Sequence, residues 1–132
     1  MEINQASKEQ NIQQDASCKT PRWLTLKNFL NNLKPKDFKE SLQQAIQPIL
    51  IDVRTAKEFE EYHFEDAINI SYFAEDLWDQ LNAFPKDSTF FVYCRTGRRS
   101  IRVCTLMRNG GFDNHRVYNL DGGVVAWKEV FG

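Results

Sequence analysis

The chain has 132 residues, 42% of them apolar, which suits one domain around a single core rather than two. Its 17 Lys and Arg stand against 18 Asp and Glu, and the resulting formal charge of −1 excludes the global basic field that holds nucleic acid. Three cysteines, at 18, 94 and 104, and histidines only at 63 and 115 form no CxxC pair and no metal-ligand spacing, so no metal or cofactor is expected.

Residues 1 to about 20 are rich in Gln, Asn, Ser and charge, with only Ile3 and Ile12 as bulky aliphatic residues. They bury too little to offset their ordering entropy, and a disordered tail is expected before a domain spanning 21–132. The N-terminus has no apolar leader region and no run long enough to span a membrane. An odd cysteine count argues for a reducing compartment. The expectation is a soluble cytoplasmic protein with neither membrane nor nucleic acid as partner.

RWLT at 22 to 25 suggests a short strand, and Leu26, Phe29, Leu30 and Leu33 recur at helical spacing until Lys34 and Pro35 stop the pattern. Phe38, Leu42 and Ile46 form a second amphipathic stripe ended by Pro48, and PILIDV at 48 to 53 suits a buried strand. Thr55 can cap TAKEFEEY, with Glu58 three residues on completing a capping box. AINI at 67 to 70 is a third strand. Phe73, Leu77, Leu81 and Phe84 share a helical face closed by Pro85, and TFFVYC at 89 to 94 is the strongest β stretch. SIRVCTLMRN at 100 to 109 turns Val103, Leu106 and Met107, with Ile101 or Cys104, to one side before Gly110 and Gly111 stop it. RVYNL is a fifth strand, Asp121, Gly122 and Gly123 a turn, and VVAWKEVF a last helix. This alternation predicts an α/β sandwich with a mostly parallel sheet covered by helices on both faces.

Cys94 ends the strongest strand and directly precedes a helix, where open α/β sheets place their ligands. Arg95, Thr96, Gly97 and Arg98 follow, and the glycine lets the backbone curl so that several N–H groups face one atom. The helix N-terminus and Arg95, Arg98 and Arg99 add positive charge. Thiolate is favoured over thiol, and Cys94 is expected to be a nucleophile. An inert core cysteine is the weaker reading, because so basic a flank makes a poor core. A tyrosine-phosphatase cradle would hold Arg one position later, where Ser100 stands, and Tyr93 occupies the place of its usual His. The shorter loop suits one sulfur atom carried on Cys94.

CRTGRRS at 94 to 100 resembles the active-site loop of rhodanese-type sulfurtransferases, six residues that open with the nucleophilic Cys and often close with Arg, here Arg99. LIDVRTAKEFEEYHFEDAINI at 50 to 70 and VYNLDGGVVAWKEV at 117 to 130 are similar to the family's entry and closing motifs. The resemblance covers about 22 to 131 and implies a five-stranded parallel sheet flanked by helices. It implies that Cys94 takes sulfane sulfur from a small anionic donor such as thiosulfate and passes it, as a persulfide, to cyanide, a thiol or a protein acceptor. Backbone N–H groups of residues 95 to 99 would stabilise the persulfide, with Thr96 adding a hydroxyl donor. Arg99, with Arg98 or Arg95, would attract the donor, or Arg99 would instead turn inward to an acid such as Asp52.

The resemblance also implies that Asp52 orients the site through hydrogen bonds, whereas helical spacing suggests an ion pair between Arg54 and Glu58. His63 is expected to satisfy a turn, Cys104 to pack in the core, and Trp23, Trp78 and Trp127 to be packing residues. Two departures stand out. Tyr62 and Asp66 replace family glycines around His63, so that turn must be built differently. The segment at 34 to 47 reads as an added surface helix where partner choice could reside. Rival readings are a rhodanese-like sulfur-relay or interaction module with little thiosulfate turnover and, less favoured, a phosphatase or arsenate reductase.

Overall fold

The computed structural model describes residues 20–132, so Cys18 and the expected tail up to residue 19 lie outside the described residues. In chain order the elements are α1 (Arg22–Lys27), β1 (Asn31–Leu33), α2 (Pro35–Gln44), β2 (Ile49–Asp52), α3 (Ala56–Glu61) and β3 (Ile68–Asn69). They continue with α4 (Leu77–Asn82), β4 (Phe90–Tyr93), α5 (Arg98–Asn109), β5 (Val117–Leu120) and α6 (Gly123–Phe131), with a 3-10 turn at Asn114–Arg116 preceding β5. The five strands lie in the order β1, β5, β4, β2, β3, and every pair is parallel.

The first two elements come in the reverse of the expected order. RWLTLK is a helix, and the residues read as a helix end in β1, whose Asn31, Asn32 and Leu33 pair with Tyr118, Asn119 and Leu120. Asn31 fastens this pairing from its side chain, whose amide donates to the backbone oxygens of Asn114 and Val117. A pairing partner far along the chain outweighs the local helical spacing. Pro35 consequently opens α2 at its first turn rather than closing an earlier helix, a position where its missing N–H costs nothing.

Helix α2 is no surface addition. It buries Phe38 completely, edge-on to Phe91 with centroids 5.4 Å apart, while Ile46, the last member of the expected stripe, lies past the helix end and is 89% exposed. Helix α4 is shorter than expected, and Phe73 stands before it, 66% exposed. The altered turn around His63 keeps a left-handed residue without glycine: Asp66 holds φ 67°, a conformation Asp tolerates better than most residues.

Period-two alternation divides the buried residues between the two faces. Phe90, Val92 and Cys94 point with Ile51 and Val117 toward Val103, Cys104 and Met107 of α5. Phe91 and Tyr93 point with Leu50 and Leu120 toward Phe38 of α2 and Val124 of α6. Cys94 therefore leaves β4 on the α5 side, beneath that helix's N-terminus. Among the described residues no helix is long and apolar enough to cross a membrane.

Candidate active site

The loop after β4 turns at Gly97, which adopts φ 100° and caps α5. A side chain there would be strained, and the left-handed turn brings the Gly97 N–H back over Cys94, donating to Sγ at 3.0 Å. The Ser100 N–H follows at 3.4 Å, and the Ser100 hydroxyl lies 3.4 Å from the same sulfur. Two backbone amides at a helix N-terminus thus converge on one atom, an arrangement that stabilises negative charge. Of the expected N–H donors of residues 95 to 99, Gly97 alone reaches the sulfur. The hydroxyl that reaches it belongs to Ser100, not to the exposed Thr96.

The other wall is the turn before α6. Val124 N–H donates to the Cys94 carbonyl (2.9 Å) and Val125 N–H to that of Arg95 (3.0 Å). Gly123, at φ 63°, lies so close beneath that a Cβ would come within 2.4 Å of the Arg95 oxygen and 2.5 Å of the Cys94 oxygen. The cysteine loop and the last helix form one packed joint.

Each arginine has a separate place. Arg99 reaches α3 and donates to both carboxylate oxygens of Glu58, at 2.9 and 3.2 Å. Arg54 pairs with Asp52, from Nη2 at 2.9 Å and Nε at 3.1 Å, and also donates to the Tyr62 carbonyl. The expected pair of Arg54 and Glu58 is therefore corrected, and Arg99 does turn inward to an acid, which is Glu58 rather than Asp52. Arg54 and Asp52 satisfy each other at the end of β2. Arg98 lies 5.0 Å over the Trp23 ring of α1. Arg95 stands exposed on a cavity of about 430 Å³, which Arg54, Glu58, Tyr62 and Lys128 also line.

Glu58 does double duty. Its side chain completes the capping box expected at Thr55, accepting from the Thr55 N–H at 3.0 Å, while it holds Arg99. The hydrogen bond from Arg99 draws its carboxyl down to about 2, partial burial opposing and Thr55 assisting. A lowered carboxylate stabilises the fold fully above its unfolded value, near 4.5, and loses that stabilisation as pH falls through about 2. Glu58→Gln is accordingly expected to unfold about 1 kcal/mol more easily than wild type in urea at pH 7, the size of a partly exposed bidentate pair. The gap should narrow as pH falls below about 4.5; a gap unchanged at pH 3 would refute the pair's contribution.

Burial works against the Arg54 charge, but the Asp52 hydrogen bond and charge outweigh it and hold the guanidinium above its ordinary value. Tyr93 is fully buried, and its hydroxyl oxygen accepts from the Phe64 N–H at 3.1 Å. Burial pushes its phenol up, so it remains protonated. Burial also pushes the Cys104 thiol up, with the nearby Cys94 charge adding to the effect, which fits the packing role expected of it. His63 lies stacked on Phe59, its Nδ1 2.7 Å from the Phe59 carbonyl, and takes no part in the cysteine loop.

Comparisons with known proteins converge on one family. A model described as "Rhodanese-like domain" matches residues 34–130. A sulfurtransferase of Allochromatium vinosum is 29% identical over 99 residues, covering 75% of this chain and 89% of its own. A tRNA uridine(34) hydroxylase of Onion yellows phytoplasma is 33% identical over 100 residues, covering 72% of this chain but 31% of its own. The crystal structure of a rhodanese-like domain protein from Staphylococcus aureus superposes with a TM-score of 0.64 at 26% identity, over 74% of this chain and 91% of that one.

Proposed function

The chain belongs to the rhodanese-like domain family, and from that premise we propose that it moves sulfane sulfur through a persulfide on Cys94. The observation that supports this best is the convergence of the Gly97 and Ser100 amides on Sγ within a six-residue loop. In the first half-reaction the Cys94 thiolate attacks the outer sulfur of thiosulfate. The new S–S bond forms as the donor's S–S bond breaks, and sulfite leaves with the electron pair. In the second, a nucleophile such as cyanide or a thiolate takes the outer sulfur, and Cys94 departs as thiolate. No net oxidant or reductant is needed, and the two steps give ping-pong kinetics. Incubation with thiosulfate should add one sulfur to the intact mass, removable by dithiothreitol. An unchanged mass would sink the reading.

Arg95 is the arginine we assign to the anionic donor, because Arg99 is held by Glu58 and Arg98 by the Trp23 ring. Arg95→Ala is expected to raise KM for thiosulfate about fivefold with little change in kcat, as loss of one exposed charge contact would. The penalty should shrink with added salt. An equal rise in Arg98→Ala, or none in Arg95→Ala, would reverse the assignment.

A second reading, a sulfur-relay module with little thiosulfate turnover, draws on one observation: Cys94 is 0% exposed. A protein partner that reshapes the loop would be one way to open it. Persulfide transfer to a partner at rates far above thiocyanate formation would favour this reading. The cytoplasm is the compartment we propose, its reducing pool keeping Cys94 and Cys104 as the free thiols seen here.

A further inference from the structure

The Ser100 hydroxyl has no part in the exchange as written, yet it is the only side-chain oxygen hydrogen-bonded to the Cys94 sulfur among the described residues. It is 0% exposed and carries one proton with two places to point it. One is the Gly97 carbonyl, 3.1 Å from Oγ; the other is Sγ at 3.4 Å. The same residue's N–H is already committed to the sulfur.

We propose that Ser100 is a further catalytic residue, whose hydroxyl switches acceptor with the charge of Cys94. While Cys94 is a thiol, the Ser100 hydroxyl donates to the Gly97 carbonyl and its oxygen accepts from S–H. When Cys94 is a thiolate, the hydroxyl turns and donates to the sulfur, joining the Gly97 and Ser100 amides as a third donor. No covalent bond changes in this turn, and the thiol proton passes to solvent. The catalytic consequence rests on the reading of Cys94 as sulfur carrier: Cys94 departs as thiolate in the second half-reaction, and the third donor stabilises that departure.

Most of the surrounding charges are committed elsewhere, although Arg99 still interacts electrostatically with Cys94. Arg99 of α5 is neutralised by Glu58 of α3, and Arg54 by Asp52 at the end of β2. Cys104 of α5 and Tyr93 of β4 remain protonated. Arg95 and Lys128 of α6 line the outer cavity with Glu61 among them, and Arg98 lies over Trp23. The Gly97 and Ser100 donors are the groups in hydrogen-bond contact with the sulfur.

The test is the thiolate absorbance of Cys94 against pH, taken as the difference from Cys94→Ser, in wild type, Ser100→Ala and Ser100→Thr. Ser100→Ala should move the midpoint up by about one pH unit, as the loss of one hydrogen bond to a charged sulfur would. Ser100→Thr keeps a hydroxyl and should stay within about 0.3 unit of wild type. Transfer of sulfur from loaded protein to cyanide should slow about tenfold in Ser100→Ala only. A midpoint unmoved in Ser100→Ala, or moved equally in both variants, would overturn the proposal. The titration needs no sulfur donor, so it stands apart from the mass measurement: failure of thiosulfate to load the wild type would sink the function and leave the switch standing.

Discussion

Cys94→Ser is expected to reduce thiocyanate formation from thiosulfate and cyanide at least a thousandfold, on the order of the loss seen when a covalent nucleophile is removed. The fold should survive, since serine is smaller and its hydroxyl meets the Gly97 and Ser100 amides that now serve the sulfur. A melting temperature close to wild type would show this. The loss would therefore be chemical, because a serine hydroxyl is a far weaker acceptor of sulfane sulfur than a thiolate. Activity within tenfold of wild type in Cys94→Ser would end the case for a persulfide on this residue, leaving the buried Cys104 as the wrong place to look for its substitute.

Gly123→Ala should have the next largest effect, and on both stability and activity. The added Cβ would meet backbone atoms of Cys94 and Arg95 at 2.4 to 2.5 Å, contacts that no rotamer change can relieve. It would also sit at φ 63°. Overpacking against backbone and the left-handed penalty together amount to about 3 kcal/mol, or roughly 10 °C in melting temperature. Any relief must move the loop away from α6 and break the hydrogen bonds that the Val124 and Val125 N–H groups donate to it. Sulfur transfer should consequently fall about a hundredfold in folded protein, because misplacement of about 1 Å is costly in a preorganised site. A variant with wild-type melting and activity would show that this joint is looser than its contacts imply.

What could be read from the sequence follows the range of the interactions involved. FFVY within TFFVYC is fully buried as a strand, and its period-two pattern sends Cys94 to the α5 face, so the placement of Cys94 was legible locally. So was the capping box, since Thr55 and Glu58 lie three residues apart. The order of α1 and β1 was not, because β1 is selected by β5 rather than by its own spacing. Nor were the acid partners: Arg99 meets Glu58 across 41 residues, which only the adjacency of α3 and α5 brings about. Of the three arginines expected to charge the cysteine loop, Arg99 is paired with Glu58, while Arg98 lies over Trp23 and Arg95 faces the outer cavity. Ser100 was passed over because a serine just after a loop reads as an ordinary first-turn helix residue. Its signal was position, one residue past the loop-closing Arg99.

The pairing of β1 with β5 also sets a timetable for synthesis. Asn32 meets Asn119, 87 residues further on, so β1 leaves the ribosome long before β5, its only sheet neighbour among the described residues. At the usual speed of translation that wait lasts roughly 5 to 15 seconds. A waiting strand of valine and isoleucine would offer a sticky edge to every other nascent chain. Asn31, Asn32 and Leu33 offer two amides and one apolar side chain instead. The polar composition that hid this strand from a reading of periodicity is the same property that makes it safe to leave unpaired.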